Sequence, residues 1–88
     1  MSDAGRPALT PTRWAILALV ARGASNAEIA ATLGLTHAAV RNQLLEIYRR
    51  LPLGAGGNQR VLAVLWYQRE GQRWHAEASC AEQGTADV

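Results

Sequence analysis

Apolar residues recur at helical spacing in four stretches of this chain, and no stretch alternates between apolar and polar residues as a strand does. The first stretch follows Leu9, where Thr10 is a cap candidate and Pro11 takes the first helical position. It ends near Arg22, because Gly23 accepts the left-handed conformation that closes a helix. The pattern therefore predicts that the chain begins with a capped helix.

Two further helices are predicted within residues 25–51, joined by a tight turn. Ser25 and Glu28 have the spacing of a capping box, in which each side chain bonds the backbone amide of the other. Gly34 ends this helix, and Thr36 caps a longer one that extends to Leu51. The longer helix carries a narrow apolar seam, formed by Val40, Leu44, Ile47 and Leu51. A short helix, a glycine turn and a longer helix with a polar outer face predict a helix-turn-helix motif.

The fourth stretch follows a glycine-rich loop and begins after Asn58, another cap candidate. Val61, Val64 and Leu65 give this helix a core face, yet its other sides are apolar as well. Such a helix needs burial on more than one face. We therefore expect it to meet another copy of the protein, with dimer contacts at Leu62, Trp66 and Tyr67. Packing of the two aromatic side chains against the first helix is the competing interpretation.

The length of 88 residues allows one small domain, and its fold class is predicted to be all-α with four helices. We expect a flexible lead over residues 1–8 and a helix-turn-helix domain over 9–71. Residues 72–88 are polar and acidic and are expected to form a disordered tail.

Several functional classes are excluded by what the chain contains. A single cysteine, Cys80, rules out a disulfide-stapled secreted domain, and the N-terminus lacks the pattern of a signal peptide. The apolar run from Ala15 to Ala21 is too short to span a membrane, so the cytoplasm is the expected location. Without a phosphate-binding loop, a paired-carboxylate pocket or metal-ligand spacing among His37, His75 and Cys80, we expect no enzyme, cofactor or metal.

Positive charge is concentrated in the predicted domain, which holds seven arginines and three glutamates between Leu9 and Gly71. The tail carries one arginine and three acidic residues, so the net charge of the chain is only +2. Every basic residue is an arginine, a side chain suited to bidentate contacts with phosphates and bases. This distribution is compatible with an anionic partner.

A series of short motifs follows in order from Leu9 to Gly71. They are Leu9-Thr10-Pro11, Gly23-x-Ser25-Asn26-x-Glu28-Ile29-Ala30, Leu33-Gly34, Val40-Arg41-Asn42, Ile47-Tyr48-Arg49-Arg50-Leu51 and Arg60-x-x-Ala63-Val64. This order resembles the LuxR/GerE-type DNA-binding domain. The resemblance implies a four-helix helix-turn-helix domain whose third helix enters the major groove and whose fourth helix mediates dimer contacts. The chain resembles the short, stand-alone GerE-like members, which would be controlled by expression level or by a partner protein.

The resemblance and the side-chain chemistry together predict a dimeric, sequence-specific transcription regulator that binds double-stranded DNA through residues 36–51. Arg41 and Asn42 are expected to bond guanine and adenine, while Ala38 and Leu45 contact thymine methyl groups. Phosphate contacts position such a domain without reading sequence. They are expected at Ser25, Asn26, Thr36, Gln43, Arg49, Arg50 and Arg60.

The chain also departs from the family pattern, and the departures support a second hypothesis. Thr12, Arg13 and Trp14 follow the opening motif, where acidic residues are usual. Neutral or apolar residues replace usual polar or basic ones at Ala27, Ala39, Gln43 and Leu45. A protein-interaction module that binds RNA polymerase or another regulator is therefore the alternative function. A third reading, a domain like region 4 of a sigma factor, rests on the loose match of residues 40–44.

Overall fold

The computed structural model describes residues 7–54 and 56–78. It contains the α-helices α1 (Pro11–Ala21), α2 (Asn26–Leu33), α3 (His37–Arg50) and α4 (Gln59–Trp66). A π-helical turn, Tyr67–Gly71, follows α4, and the chain continues as a helix over residues 72–78. This confirms the all-α, four-helix prediction. No helix in the described ranges combines the length and the apolar character that crossing a bilayer requires.

The helices begin at the residues that their caps predict. The Ser25 amide donates to Glu28 Oε1 at 2.7 Å and the Glu28 amide donates to Ser25 Oγ at 3.1 Å, which completes the capping box. The other three caps accept bonds from first-turn amides through the side-chain oxygens of Thr10, Thr36 and Asn58. Gly34 ends α2 in the left-handed conformation, with a φ of 69°. Local sequence therefore determines where each helix starts and how α2 turns into α3.

The core lies where α1 and α3 pack against each other, with α2 and α4 closing its sides. The apolar seam of α3 is buried as predicted, at Val40, Leu44, Ile47 and the cap residue Leu51. Its partners from the neighbouring helices include Ile16, Leu17, Ile29 and Ala63, which are buried as well. This arrangement fixes the rotation of α3 about its own axis.

The helical part of the chain extends beyond residue 71, where the disordered tail was predicted to begin. The ring of His75 stacks on Trp14 with centroids 5.4 Å apart, and its Nδ1 lies 2.7 Å from the hydroxyl oxygen of Tyr67. These contacts hold residues 72–78 against α1, so the helical part of the chain ends later than the predicted start of the tail. The remainder of the predicted tail, 79–88, and residues 1–6 of the predicted lead lie outside the described residues.

Gly71 is the last residue of the π-helical turn, and there is no space for a larger side chain at this position. A Cβ atom on Gly71 would lie 2.6 Å from Trp66 Cζ3 and 2.7 Å from Tyr67 Cδ1. We expect Gly71→Ala to lower the free energy of unfolding by about 1–3 kcal/mol, the usual cost of overpacking. Alanine is ordinarily the better helix former by about 1 kcal/mol, so a loss would be opposite to the intrinsic preference.

Urea denaturation measures this effect, with Glu70→Ala as the control because Glu70 is the exposed neighbour of Gly71. The control should change the unfolding free energy by less than about 0.5 kcal/mol. A Gly71→Ala variant as stable as the wild type would mean that the aromatic rings are not packed as described.

Candidate nucleic-acid interface

The side of α3 opposite its buried seam forms one continuous exposed surface. We call this surface the outer face of α3; it consists of Ala38, Arg41, Asn42, Leu45 and Arg49, all of them exposed. It brings together the four residues predicted to contact bases. Leu45 is 55% exposed, although a large apolar side chain gains no stability from contact with water. An exposed leucine between an arginine and an asparagine suits a surface that offers both hydrogen-bond groups and methyl groups.

The outer face of α3 continues onto α2 and α4 on one side. Arg41, Leu45 and Tyr48 line a shallow depression together with Asn26 at the start of α2 and Arg60 on α4. Residues from three helices thus border a single concave surface. We call this border the α4 flank.

Arg60 ties the α4 flank together. Its Nη1 donates to Asn26 Oδ1 at 2.8 Å and its Nη2 donates to the Ala24 carbonyl oxygen at 2.8 Å. Burial raises the pKa of the Tyr48 hydroxyl above its ordinary value, and the positive charge of Arg60 offsets part of that rise. Arg60 therefore holds the start of α2 against α4, next to Tyr48 of α3.

Gln43, on the opposite side of α3, makes a hydrogen bond that sequence reasoning did not predict. Arg13 of α1 donates through Nε to Gln43 Oε1 at 2.7 Å, and the bond is partly buried. Both residues depart from the family pattern. Their pairing could not be predicted from the sequence because they lie 30 residues apart along the chain. We call this side, with Thr36, Ala39 and Gln43, the α1 flank.

Arg49 and Arg50 share one acidic partner in the last turns of α3. Arg49 Nη1 lies 3.1 Å from Glu46 Oε2, and Arg50 Nη2 lies 3.2 Å from Glu46 Oε1. The two arginine side chains are 75% and 42% exposed. Ion pairs this exposed contribute about 0–1 kcal/mol, so a phosphate can replace the glutamate at small cost.

The remaining candidates for phosphate contact, Ser25, Asn26 and Thr36, lie at helix starts. The side chains of Ser25 and Thr36 serve as caps, and Asn26 accepts a bond from Arg60. Capping therefore accounts for the presence of both hydroxyl residues. Ser25 and Thr36 are exposed, which leaves the second lone pair or the hydroxyl proton of each side chain accessible.

The residues predicted to form a dimer contact do not share one exposed surface. Trp66 is 6% exposed and stacks on Trp14 with centroids 6.3 Å apart, and Tyr67 is 8% exposed beside His75. Both rings pack within the subunit, as the competing interpretation expected, and they do not belong to the exposed surface of α4. Leu62 is half-buried.

The exposed apolar surface of α4 belongs to two other residues, Val61 and Leu65. They are 53% and 42% exposed and lie one helical turn apart. They were predicted to be core residues, but the helix is rotated so that Ala63 and Trp66 face inward instead.

Taken together, the helix-turn-helix fold and the outer face of α3 define a DNA-binding domain of the class found in bacterial regulators. The model of the GerE family, described as bacterial regulatory proteins of the luxR family, matches residues 7–65. The match covers more than half of the 88 residues, and the chain belongs to this family. No curated protein and no solved structure gave a significant match.

The tie made by Arg60 predicts a loss of stability when its charge is removed. We expect Arg60→Met, which keeps the aliphatic stem, to lower the free energy of unfolding by about 1–2 kcal/mol, because the Ala24 carbonyl and Asn26 each lose a charged donor. Arg49→Met is the control, since it removes the same charge from a side chain that is 75% exposed. Denaturation of both variants checks this, and equal stability would contradict a structural role for Arg60.

Proposed function

We propose that this protein is a sequence-specific transcription regulator that places α3 in the major groove of double-stranded DNA. The observation that carries the proposal is the outer face of α3, where polar and apolar groups are exposed together along one helix. The major groove of B-DNA is wide enough to admit an α-helix. A regulator of this kind would act in the cytoplasm, where bacterial DNA is located.

Four residues are proposed to read bases. Arg41 can donate two bonds to guanine, and Asn42 can exchange two bonds with adenine, each contact worth about 1–3 kcal/mol of discrimination. Ala38 and Leu45 would contact thymine methyl groups, and this contact would account for the exposure of Leu45. All four side chains can face the same groove because they share the outer face of α3.

The phosphate contacts are proposed to lie along both flanks of α3. Residues of the helix starts, the α1 flank, the α4 flank and the end of α3 would take part, namely Ser25, Asn26, Thr36, Gln43, Arg49, Arg50 and Arg60. Their function would be to set the orientation and depth of α3 in the groove.

We further propose that the regulator is a homodimer that assembles through α4. Val61 and Leu65 support this, because two large apolar side chains lie exposed one turn apart. Leu62 can contribute at the edge of the same surface. A dimer with two-fold symmetry would bind two half-sites in a pseudo-palindromic sequence.

The alternative function is a protein-interaction module that binds RNA polymerase or another regulator through the same surface. The exposure of Leu45, at 55%, is the observation that favours it, because an apolar side chain suits a protein partner as well as a thymine methyl group. A gel shift at low salt separates the two functions. Retardation of duplex DNA below micromolar protein favours the regulator.

The division between base and phosphate contacts predicts different effects for two arginine substitutions. Arg41→Ala should lower discrimination at one base position by about 1–3 kcal/mol. Arg49→Ala should weaken binding to all sequences alike and make the slope of log K against log salt shallower by about 0.9. Fragments selected from random duplex DNA, measured by fluorescence anisotropy at several salt concentrations, give both quantities. Wild-type protein that selects no common sequence would overturn the base-reading assignment.

The dimer proposal predicts that a charge on the exposed surface of α4 separates the subunits. We expect Leu65→Glu to sediment as a monomer and to lose affinity for a two-site duplex, because the glutamate would be buried without a partner. Gln59→Glu adds the same charge at the exposed first residue of α4 and should leave the dimer intact. Sedimentation velocity distinguishes the outcomes, and a wild-type monomer at all concentrations would contradict the proposal.

A further inference from the structure

Arg13 connects the first turns of α1 to one side of α3. It is half-buried, and its Nε donates to Gln43 Oε1 at 2.7 Å. One donor of the guanidinium is used in this bond. The two terminal amino groups carry further donors, and in the described part of the chain they bond no protein acceptor.

The position of Gln43 on α3 determines where this guanidinium lies. Gln43 follows Thr36 and Ala39 at spacings of seven and four residues, so all three lie along the same side of the helix. That side is the α1 flank. The opposite side, the α4 flank, is bordered by Arg60. The outer face of α3 thus has an arginine from a different helix on each of its two sides.

Among the described residues, Arg13 lacks the acidic partner that the arginines at the end of α3 have. Arg49 and Arg50 share Glu46, whereas no carboxylate within the described ranges pairs with Arg13. Its partner Gln43 is neutral. Arg13 therefore presents an unneutralised, oriented guanidinium beside α3, and this is the geometry that binds a phosphate through two parallel bonds.

We propose that Arg13 is a phosphate-contacting residue, and that it also positions Gln43 on the DNA strand that borders the α1 flank. A helix in the major groove has a sugar–phosphate backbone on each side, and Arg13 and Arg60 would each face one of the two strands. The inference rests on the proposed DNA-binding function. It adds α1 to the interface, and it places a positive charge beside the α1 flank, where the side chain of Ala39 has no polar group.

The test is the salt dependence of duplex binding by the full chain. Arg13→Gln removes the charge but keeps an amide that can still donate to Gln43. We expect its affinity to fall equally for all sequences and the slope of log K against log salt to become shallower by about 0.9. Between 50 and 200 mM salt, the factor by which the affinity falls should accordingly be about threefold smaller for the variant than for the wild type.

Arg22→Gln is the matched control. Arg22 is the exposed cap at the other end of α1, so the variant carries the same change in net charge away from α3. Its salt slope should equal that of the wild type. Circular dichroism and thermal unfolding of both variants show whether each is folded. If Arg13→Gln changes the salt slope, Arg13→Lys, which restores the charge, should recover the slope of the wild type.

The outcomes separate this inference from the function on which it rests. A wild-type slope in Arg13→Gln, with sequence-selective binding retained, overturns the inference and leaves the regulator intact. A loss of affinity that is the same at every salt concentration also overturns it, because Arg13 would then only support Gln43. Failure of the wild type to bind any duplex overturns both proposals together.

Discussion

The burial of the α3 seam is the constraint on which the rest of the structure depends. Val40, Leu44 and Ile47 occupy a narrow strip of that helix, and each is at most 4% exposed. Because successive residues of a helix are separated by about 100°, turning α3 by one position would bury Arg41 and expose Val40. The side chains of the outer face are thus exposed as a consequence of core packing. Stability depends on one side of α3, and the proposed recognition surface is the opposite side of the same helix.

The neighbouring helices fix the border of this surface by polar contacts. Arg60 joins α4 to the start of α2, and Arg13 joins α1 to α3, each through bonds of 2.7 to 2.8 Å that are partly buried. A charged donor that also organises the fold is restricted in its rotamers before any ligand arrives. If Arg13 and Arg60 bind phosphates as proposed, they should lose less side-chain entropy than Arg49, whose side chain is 75% exposed and makes only a surface ion pair with Glu46.

Sequence reasoning succeeded where the determinants are local and failed where they are distant. The cap at Ser25 and the turn at Gly34 follow from residues within a few positions, so they could be read directly. Trp66 was assigned to a dimer contact because α4 is apolar on most sides, and the helical period does not distinguish a buried side from an exposed one. The pairing of Arg13 with Gln43 spans 30 residues and follows from no local pattern. The outer face of α3 was predictable because its position follows from the seam.

The segment that follows the family match contributes to the position of the site as well. The match ends at residue 65, and the aromatic contacts of Trp66 and His75 lie beyond it. Both rings stack on Trp14, which is 3% exposed and directly follows Arg13 in α1. A small domain has a small hydrophobic core, and the stacked rings add buried area beside the first turn of α1. Trp14 therefore packs the first turns of α1 against the C-terminal helical segment, next to Arg13, which bonds Gln43 of α3.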